Sequence, residues 1–242
     1  MNGAARARSP RGIKDGMAQD QEKDLAAEAS LEYVKDGQIV GLGSGSTATR
    51  VIRALGARVQ AGLKIRGIPT STASRDLAIE LGIPLTTFEE VQQIDVDIDG
   101  ADEFDPALNL TKGGGGALLR EKIVASAAKR MVVVADSSKQ VAALGRFPLP
   151  VEVIGFAQAL VAREIAALGA SSSLRRDARG NVFVTDEGHH ILDCRFGRIP
   201  DPPALARRLS DMPGIVEHGL FIGMASVVVM AKDTEVITLR RS

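Results

Sequence analysis

Aromatic residues are scarce in this chain of 242 residues, which contains seven Phe, one Tyr and no Trp. Proteins that bind single-stranded nucleic acid stack the bases on aromatic side chains, and lectins stack sugars in the same way. A net charge is also absent, because 30 Lys and Arg residues balance 30 Asp and Glu residues. A neutral chain offers no basic surface to nucleic acid or to an anionic membrane, so we expect neither as a partner.

Cysteine is nearly absent as well. The single cysteine, Cys194, has no partner within the chain with which to form a disulfide, and this is typical of proteins in a reducing compartment. No apolar run approaches the roughly 18 residues of a membrane span, and the start of the chain has no apolar signal-peptide segment. We therefore expect a cytoplasmic protein.

The first residues differ from the rest of the chain in composition. Residues 1–16 contain four basic residues, one acidic residue and little apolar content. They lack the amphipathic stripe of a targeting peptide, so we expect residues 1–19 to form a flexible extension, with Met17 as an alternative start. Asp20 is the expected N-cap of the first helix.

Apolar strand segments then alternate with amphipathic helical segments. Four strands are predicted in the first part of the chain, at 38–42, 63–68, 94–100 and 131–136. Because helical segments of ten or more residues separate them, the strands are expected to pair in parallel through right-handed crossovers. This pattern predicts an α/β fold, a Rossmann-like open parallel sheet built from residues 20–149 and 222–242.

The pattern changes after residue 149. A helical segment is followed by short strand-like segments at SLRRD, NVFVTD and HILDCRF, with hairpin-like turns between them. A second helical segment, PPALARRLSD, begins with proline, and a strand near GIVEHGLF follows it. We predict a smaller α+β, ferredoxin-like domain over residues 150–221.

A glycine-rich turn follows the first predicted strand, at Gly41–Ala48. Open parallel sheets bind ligands at this point, and the free amides at a helix start attract phosphate. The dinucleotide fingerprint does not fit, because Ser46 stands where the third glycine is needed, and no Lys precedes the Ser/Thr pair as in a P-loop. A tight turn without a ligand is the alternative to a phosphate site that uses Ser44, Ser46 and Thr47.

Carboxylates accumulate at the end of the third predicted strand. Asp95, Asp97 and Asp99 alternate along the strand, and Asp102 follows in the next loop. Carboxylates at this edge suit a ligand rich in hydroxyl groups, since each accepts several hydrogen bonds. A Mg²⁺ or Ca²⁺ site is the alternative, but the three histidines lie in other parts of the sequence and we predict no metal.

The most informative segment runs from Lys112 to Glu121. Lys112 precedes four consecutive glycines, which are costly in chain entropy but let backbone amides approach an anionic ligand. Glu121 follows in a helical segment with many apolar residues, where desolvation would raise the pKa of its carboxyl towards that of a useful base. The alternative is an ordinary charged helix face formed by Arg120, Glu121 and Lys122.

These parts suit aldose–ketose isomerisation. The reaction needs one carboxylate that reaches two adjacent carbons, together with fixed donors for the oxygens of the enediolate. Glu121, Lys112 and the glycine amides supply both, without a metal or a nucleotide.

Six ordered segments resemble the family of ribose-5-phosphate isomerase, type A. They are GLGSGSTA, PTS, DGADEFD, KGGGGALLREKIV, ADSSKQV and FPLPVEV, at 41–48, 69–71, 99–105, 112–124, 135–141 and 147–153. The resemblance covers nearly everything after about residue 20. It implies interconversion of D-ribose 5-phosphate and D-ribulose 5-phosphate in the non-oxidative pentose phosphate pathway, no cofactor, and a homo-oligomer, most often a dimer.

The resemblance also implies roles for individual residues. Glu121 would be the general base that moves a proton between C1 and C2 of the sugar, and Asp99 would assist ring opening. Lys23 is a further candidate ligand of the phosphate. The implied substrate-binding residues are Ser44, Gly45, Ser46, Thr47, Asp99, Gly100, Ala101, Asp102, Lys112, Gly113, Gly114, Gly115 and Lys139.

Two other functions are consistent with a similar fold. A non-catalytic sugar-phosphate sensor would retain the glycine loops, but it would normally carry a DNA-binding segment, and residues 1–19 are too short for a helix-turn-helix. An amino-sugar phosphate deaminase or an acyl-CoA transferase is the second alternative. The deaminases usually rely on a catalytic His, and no His lies near these loops in the sequence.

Overall fold

The computed structural model describes residues 10–241, and the side chains of residues 17–241. Its α-helices are α1 Pro10–Ser30, α2 Ser46–Gln60, α3 Thr72–Glu80, α4 Leu118–Ala127, α5 Gln158–Ala167 and α6 Pro202–Ser210. Its strands are β1 Ile39–Leu42, β2 Arg66–Pro69, β3 Val96–Gly100, β4 Glu103–Phe104, β5 Leu110–Thr111, β6 Met131–Asp136, β7 Leu149–Val153, β8 Ser171–Leu174, β9 His190–Arg195, β10 Ile215–His218, β11 Leu220–Phe221, β12 Ala225–Lys232 and β13 Glu235–Arg240.

The larger sheet has six strands in the order β2-β1-β3-β6-β12-β13. All neighbours are parallel except β12 and β13, which form an antiparallel hairpin at one edge. The central strands are buried along almost their whole length, as expected for a sheet covered on both faces, and they are mostly apolar apart from the two aspartates of β3. The predicted open parallel sheet is therefore confirmed, including the return of the last two strands to it.

The two faces of this sheet differ in chemistry because side chains alternate along a strand. On β3, Val96 and Ile98 join the apolar core that contains residues of α1 and α2. Asp97 and Asp99 point to the other face, and Val124 of α4 approaches the same point beside Gly41 as Asp97. The buried carboxylates therefore lie beneath α4, and the first core stays apolar.

The smaller sheet has four antiparallel strands in the order β10-β7-β9-β8. In chain order its elements are β7, α5, β8, β9, α6 and β10, which is the βαββαβ arrangement of a ferredoxin-like fold. The prediction of a second, α+β unit is confirmed. The boundaries predicted for it, 150 and 221, lie close to the first and last residues of this sheet, Leu149 and His218.

A third sheet was not predicted. It joins β4, β5 and β11, each of only two residues, in the order β11-β5-β4. Strands this short show no alternation in the sequence. The amide of Lys112 donates to the carbonyl of Gly219 at 2.8 Å, which extends the pairing of β5 with β11. The lysine is therefore anchored at the junction of the two larger sheets.

Two local predictions were wrong. The first helix begins at Pro10 and not at Asp20, because the residues from Met17 to Lys23 are mostly good helix formers and contain no breaker. Asp20 lies within the helix and its carboxylate is 2.8 Å from the guanidinium of Arg50. Of the residues 1–19 predicted to form a flexible extension, residues 10–19 belong to α1 and residues 1–9 lie outside the described residues.

The second error concerns the segment NVFVTD. It does not form a strand of the small sheet and makes only a single antiparallel bridge, between Arg176 and Val182. The loop that contains it turns towards the larger sheet, where the amide of Thr72 donates to Asp186 at 2.7 Å. Within the described part of the chain, no helix combines the length and apolar character that crossing a membrane requires.

Candidate active site

A cleft lies at the carboxyl edge of the larger sheet and holds about 440 Å³ of empty space, part of which is open solvent. Four loops or turns surround it: the turn before α2, the loop after β3, the glycine loop before α4 and a short 3-10 helix after β6. The residues that line it are Ser44, Gly45, Ser46, Thr47, Gly100, Ala101, Asp102, Lys112, Gly113, Gly114, Gly115, Glu121 and Lys139. The structure thus brings together every residue predicted to bind substrate except Asp99, which lies directly beneath the cleft and is fully buried.

The floor of the cleft is a buried ionic cluster. The Lys112 ammonium is 2.9 Å from the Asp99 carboxylate and 3.4 Å from the Glu121 carboxylate. It also donates to the carbonyl of Gly100 at 2.6 Å. The side chain of Lys112 is 2% exposed and that of Glu121 is 5% exposed. These charges interact with little screening by water.

Asp99 is held from the other side by backbone donors. One of its carboxylate oxygens accepts from the amides of Ser44 at 3.0 Å and Gly100 at 2.7 Å. The other oxygen faces Lys112. A side chain at Gly43 would overlap Asp99, so glycine directly after β1 makes room for the carboxylate.

Glu121 belongs to the buried face of α4. It shares this face with Leu118, Val124 and Ala125, so its position is not that of an ordinary charged helix face. Burial raises the pKa of Glu121 to about 8, and Asp99 and Asp102 add to the rise while the Lys112 ammonium opposes it. A carboxylate with this pKa is a much stronger base than one in water.

Burial lowers the pKa of the Lys112 ammonium, but the Asp99 and Glu121 carboxylates outweigh this effect and raise it overall. Lys112 is therefore charged at every pH at which the protein would work. Asp97 is also fully buried, and burial together with the charge of Asp99 raises the pKa of its carboxyl. One ammonium thus faces three buried carboxyl groups, an excess that favours protonation of some of them.

The turn before α2 presents backbone amides. Gly45 precedes the helix with φ of 92°, a conformation that favours glycine. The first amides of a helix have no acceptor within it, and its positive dipole end favours an anion. The Ser44 hydroxyl forms hydrogen bonds with the hydroxyls of Thr70 at 2.8 Å and Ser71 at 2.7 Å, which fix the turn against the neighbouring segment.

The glycine loop is turned sharply. Gly113 and Gly116 have φ of 99° and 86°, and the amide of Gly116 donates to the carbonyl of Gly113 at 3.0 Å. The amide of Gly114 donates to Asp102 at 2.7 Å, so it is already occupied. The Gly115 amide has no acceptor among the described residues, and Gly115 lines the cleft.

Lys139 also lines the cleft. It ends the short 3-10 helix Ser137–Lys139, in which Asp136 accepts from the amide of Ser138 at 3.1 Å. Glu22 of α1 accepts from the amide and hydroxyl of Ser137 at 2.9 and 2.8 Å. Lys23, the further candidate for the phosphate, does not line the cleft, and its ammonium is 3.7 Å from Asp20.

Sequence reasoning missed the roles of Glu22, Thr70 and Asp97. Asp97 carried a signal: Gly41 of β1 and Gly43 just after it are two residues apart, as are Asp97 and Asp99 on β3. Gly41 pairs with Asp97 in the sheet, and a side chain at Gly41 would overlap its carboxyl. Glu22 gave no local signal, since it resembles any acidic residue of an amphipathic helix.

Comparison with known proteins agrees with this geometry. A sequence model of the family described as ribose 5-phosphate isomerase A (phosphoriboisomerase A) matches residues 66–235 of this chain. The chain belongs to this family.

Relatives within the ribose 5-phosphate isomerase A family are similar over nearly their whole length. The chain is 54% identical over 231 residues to ribose-5-phosphate isomerase A of Rhodopseudomonas palustris (strain BisA53), covering 93% of this chain and 96% of the relative. It is 53% identical over 235 residues to that of Bradyrhizobium diazoefficiens, covering 93% and 98%.

Solved structures of isomerases superpose closely. A D-ribose-5-phosphate isomerase in complex with phospho-erythronic acid gives a TM-score of 0.90 at 37% identity, covering 92% of this chain and 99% of that one. Ribose 5-phosphate isomerase from Plasmodium falciparum gives 0.89 at 35% identity with the same coverage. These proteins are isomerases by name, so the sensor, deaminase and transferase alternatives receive no support from them.

Replacing Lys112 by Met tests the ionic cluster. The variant leaves Asp99 and Glu121 buried without their cation, and removing one partner of a buried pair costs about 3–5 kcal/mol. The pKa of the Glu121 carboxyl, which the Lys112 ammonium holds down in the wild-type chain, then rises further, so Glu121 is protonated more readily in the folded chain than in the unfolded chain. Because the folded state binds the extra protons, its stability falls as the pH rises.

We therefore expect the free energy of unfolding, measured with urea, to drop more at pH 8 than at pH 5. Lys139→Met is the control, since Lys139 takes part in no ion pair among the described residues, and its loss should be small at both pH values. An equal drop at both pH values for Lys112→Met would contradict the proposed coupling.

Proposed function

We propose that this chain interconverts D-ribose 5-phosphate and D-ribulose 5-phosphate through an enediolate, as an aldose–ketose isomerase of the non-oxidative pentose phosphate pathway. Membership of the ribose 5-phosphate isomerase A family supports the reaction. The observation that carries the mechanism is the placement of a desolvated carboxylate, Glu121, 3.4 Å from a buried ammonium, Lys112, at the floor of a cleft lined by backbone amides.

Glu121 acts as the base in this proposal. Its carboxylate removes the proton from C2 of the open-chain aldose and returns it to C1, so one group serves both half-reactions. Burial supports this role, because it raises the pKa of Glu121 to about 8 and brings it close to the working pH, where general bases are most effective. The protonated acid that forms is then able to give the proton back.

Lys112 and the glycine loop stabilise the enediolate. Negative charge develops on the oxygens of C1 and C2 when the proton leaves C2, and fixed donors at such oxygens contribute about 10²–10³-fold each. The Lys112 ammonium and the open amide of Gly115 are the donors that border the cleft beside Glu121. Lys112 needs no reorganisation for this role, since Asp99 and Gly100 already hold it in place.

The rest of the cleft has two parts, a positive part that suits phosphate and a part with hydrogen-bond acceptors that suits hydroxyl groups. The turn Ser44–Thr47, at the positive end of α2, suits the phosphate group, and Lys139, which also lines the cleft, adds a positive charge. The carbonyl and carboxylate groups of the segment Gly100–Asp102 suit the sugar hydroxyls. Asp102 lines the cleft, and burial raises the pKa of its carboxyl, so it is the carboxyl on this loop that touches substrate.

Asp99 is the candidate for assisting ring opening, and its location limits the way in which it can act. It is fully buried and reaches the cleft only through Lys112, so its part is to hold the lysine that contacts O1. The isomerisation itself moves one proton from C2 to C1 and a second from the C2 hydroxyl to O1, and it leaves the overall oxidation state unchanged. It therefore balances without a cofactor or a metal.

Glu121→Gln separates binding from chemistry. The amide keeps the shape of the side chain but cannot accept the proton, so we expect kcat to fall by at least about 10²–10⁴-fold with ribose 5-phosphate still bound. Binding is measured by calorimetry, and turnover by NMR in D₂O with a chelator present, following ketose formation and deuteration at C1 or C2.

The matched control is Glu164→Gln. Glu164 is an exposed residue of α5, distant in the sequence from the residues that line the cleft, so the variant should keep wild-type turnover. Near wild-type turnover in Glu121→Gln would show that another group is the base. Loss of binding together with turnover would show that Glu121 acts mainly on the fold of the cleft.

We further propose that the protein is cytoplasmic and a homodimer. The lone buried thiol, Cys194, is compatible with a reducing compartment. Ile154, Phe156 and Leu160 are exposed apolar side chains close together in the chain, and Phe156 is fully exposed. Apolar surface of this kind is typical of an interface.

Light scattering should give a mass of about 51 kDa, twice the chain mass of 25.5 kDa, and Phe156→Glu should lower it towards that of one chain. A mass of one chain for the wild-type protein at micromolar concentration would contradict the dimer.

A further inference from the structure

We propose that Arg175, which belongs to the smaller domain, is a positioning residue for the isomerase site: it fixes the peptide planes of the glycine loop and so aims the Gly115 amide into the cleft. The inference rests on the proposed function. Its basis is a pair of hydrogen bonds across the domain boundary, from Nη1 of Arg175 to the carbonyl of Gly113 at 2.8 Å and to that of Gly114 at 3.2 Å.

Arg175 is itself rigidly held. Its Nε donates to Asp193 at 3.0 Å, and its Nη2 donates to the other oxygen of the same carboxylate, which is the two-pronged pairing that favours arginine over lysine. Its backbone amide donates to Ile191 of β9 at 2.8 Å. The guanidinium also lies 5.8 Å from the centre of the Phe183 ring, and its side chain is only 12% exposed.

Because the peptide bond is planar, these contacts determine the direction of the Gly115 N–H. In a trans peptide the carbonyl and the following N–H lie in one plane and point in opposite directions. Arg175 holds the carbonyl of Gly114, so the N–H of Gly115 in the same peptide points away from Arg175. Gly115 lines the cleft, and its amide has no acceptor among the described residues.

The preceding peptide is fixed at both ends. Its carbonyl, that of Gly113, accepts from Arg175, and its N–H, that of Gly114, donates to Asp102 at 2.7 Å. Phe183 of the same domain closes the far side of the loop, because a side chain at Gly116 would overlap its ring. Glycine has the widest choice of backbone conformations, so a run of glycines needs such external contacts to present one amide in one direction.

A purely structural role is the alternative, in which Arg175 only fastens the two domains together. The two roles predict different kinetics. A donor aimed at the enediolate stabilises the transition state more than the bound substrate, so loosening it lowers kcat and leaves KM nearly unchanged. If Arg175 only held the two domains together, its loss would lower thermal stability and leave the kinetics of the folded enzyme unchanged.

The test compares Arg175→Met with Arg176→Met. Arg176 is the next residue, is exposed and donates to the carbonyl of Gly180 at 2.8 Å, so its replacement removes the same charge from the same segment without touching the glycine loop. We expect kcat for ribose 5-phosphate to fall about 10- to 100-fold in Arg175→Met, somewhat less than for outright loss of an oxyanion donor. KM should change less than about threefold, and Arg176→Met should match wild type.

Three further readouts sharpen the result. Inhibition by phospho-erythronic acid, whose carboxylate resembles the enediolate end, should weaken in Arg175→Met by about as much as kcat falls. Amide hydrogen exchange at Gly114, whose N–H donates to Asp102, should accelerate in Arg175→Met but not in Arg176→Met. Arg175→Lys should recover little activity, because an ammonium cannot bind both carbonyls and pair with Asp193 through two parallel bonds.

Asp193→Asn serves as the second variant if Arg175→Met does not fold. It keeps the size of the side chain that orients Arg175 but removes its charge, so we expect kcat to fall and KM to change less than about threefold, as for Arg175→Met. Wild-type kcat in folded Arg175→Met, or equal losses in Arg175→Met and Arg176→Met, would overturn this inference alone. A wild-type chain without isomerase activity would overturn the proposed function, and the inference with it.

Discussion

The burial of one ammonium group constrains the rest of this structure. Lys112 is almost inaccessible to water and lies between the carboxylates of Asp99 and Glu121, and an isolated charge in such a position would be strongly unfavourable. Each partner comes from a different element: Asp99 from the end of β3, Glu121 from α4, and Lys112 from the segment that follows β5. The ionic contacts therefore fix three elements at one point, and that point is the floor of the cleft.

The same cluster creates the chemistry. Its carboxylates outnumber its cation, and water is excluded, so the pKa of Glu121 rises to about 8 mainly because of burial. Stability and reactivity are thus opposed at this position. A carboxyl whose pKa is raised on folding destabilises the folded state increasingly as the pH rises from the ordinary pKa of the carboxyl to its pKa in the folded chain. The larger sheet supplies the compensating stability through its apolar core on the opposite face, while Gly41 of β1 and Gly43 just after it leave the space that the carboxyls occupy.

The sequence predicted elements with long, regular patterns and failed where structure depends on contacts distant in the chain. The parallel sheet, the ferredoxin-like unit and the residues that line the cleft were predicted, because strand–helix alternation and glycine runs are local signals. The two-residue strands β4, β5 and β11 were missed because they exist only through pairing with one another. Glu22 and Arg175 form hydrogen bonds with residues 115 and 62 positions away in the sequence. Neither has a local sequence signal that distinguishes it from a charged surface residue. The start of α1 was wrong because a capping residue, Asp20, was given more weight than helix propensity on both sides of it.

Burial raises the pKa of Glu121, and the Lys112 ammonium opposes part of this rise. Glu121 is therefore a base that titrates near neutral pH. A ¹³C NMR titration of the glutamate side-chain carboxyl carbons, with Glu121 assigned from its absence in Glu121→Gln, measures this directly in the free enzyme. We predict a midpoint of about 8 for the Glu121 carboxyl. A midpoint near the ordinary value of 4.5 would contradict it, because the cleft would then hold an exposed or fully compensated carboxylate.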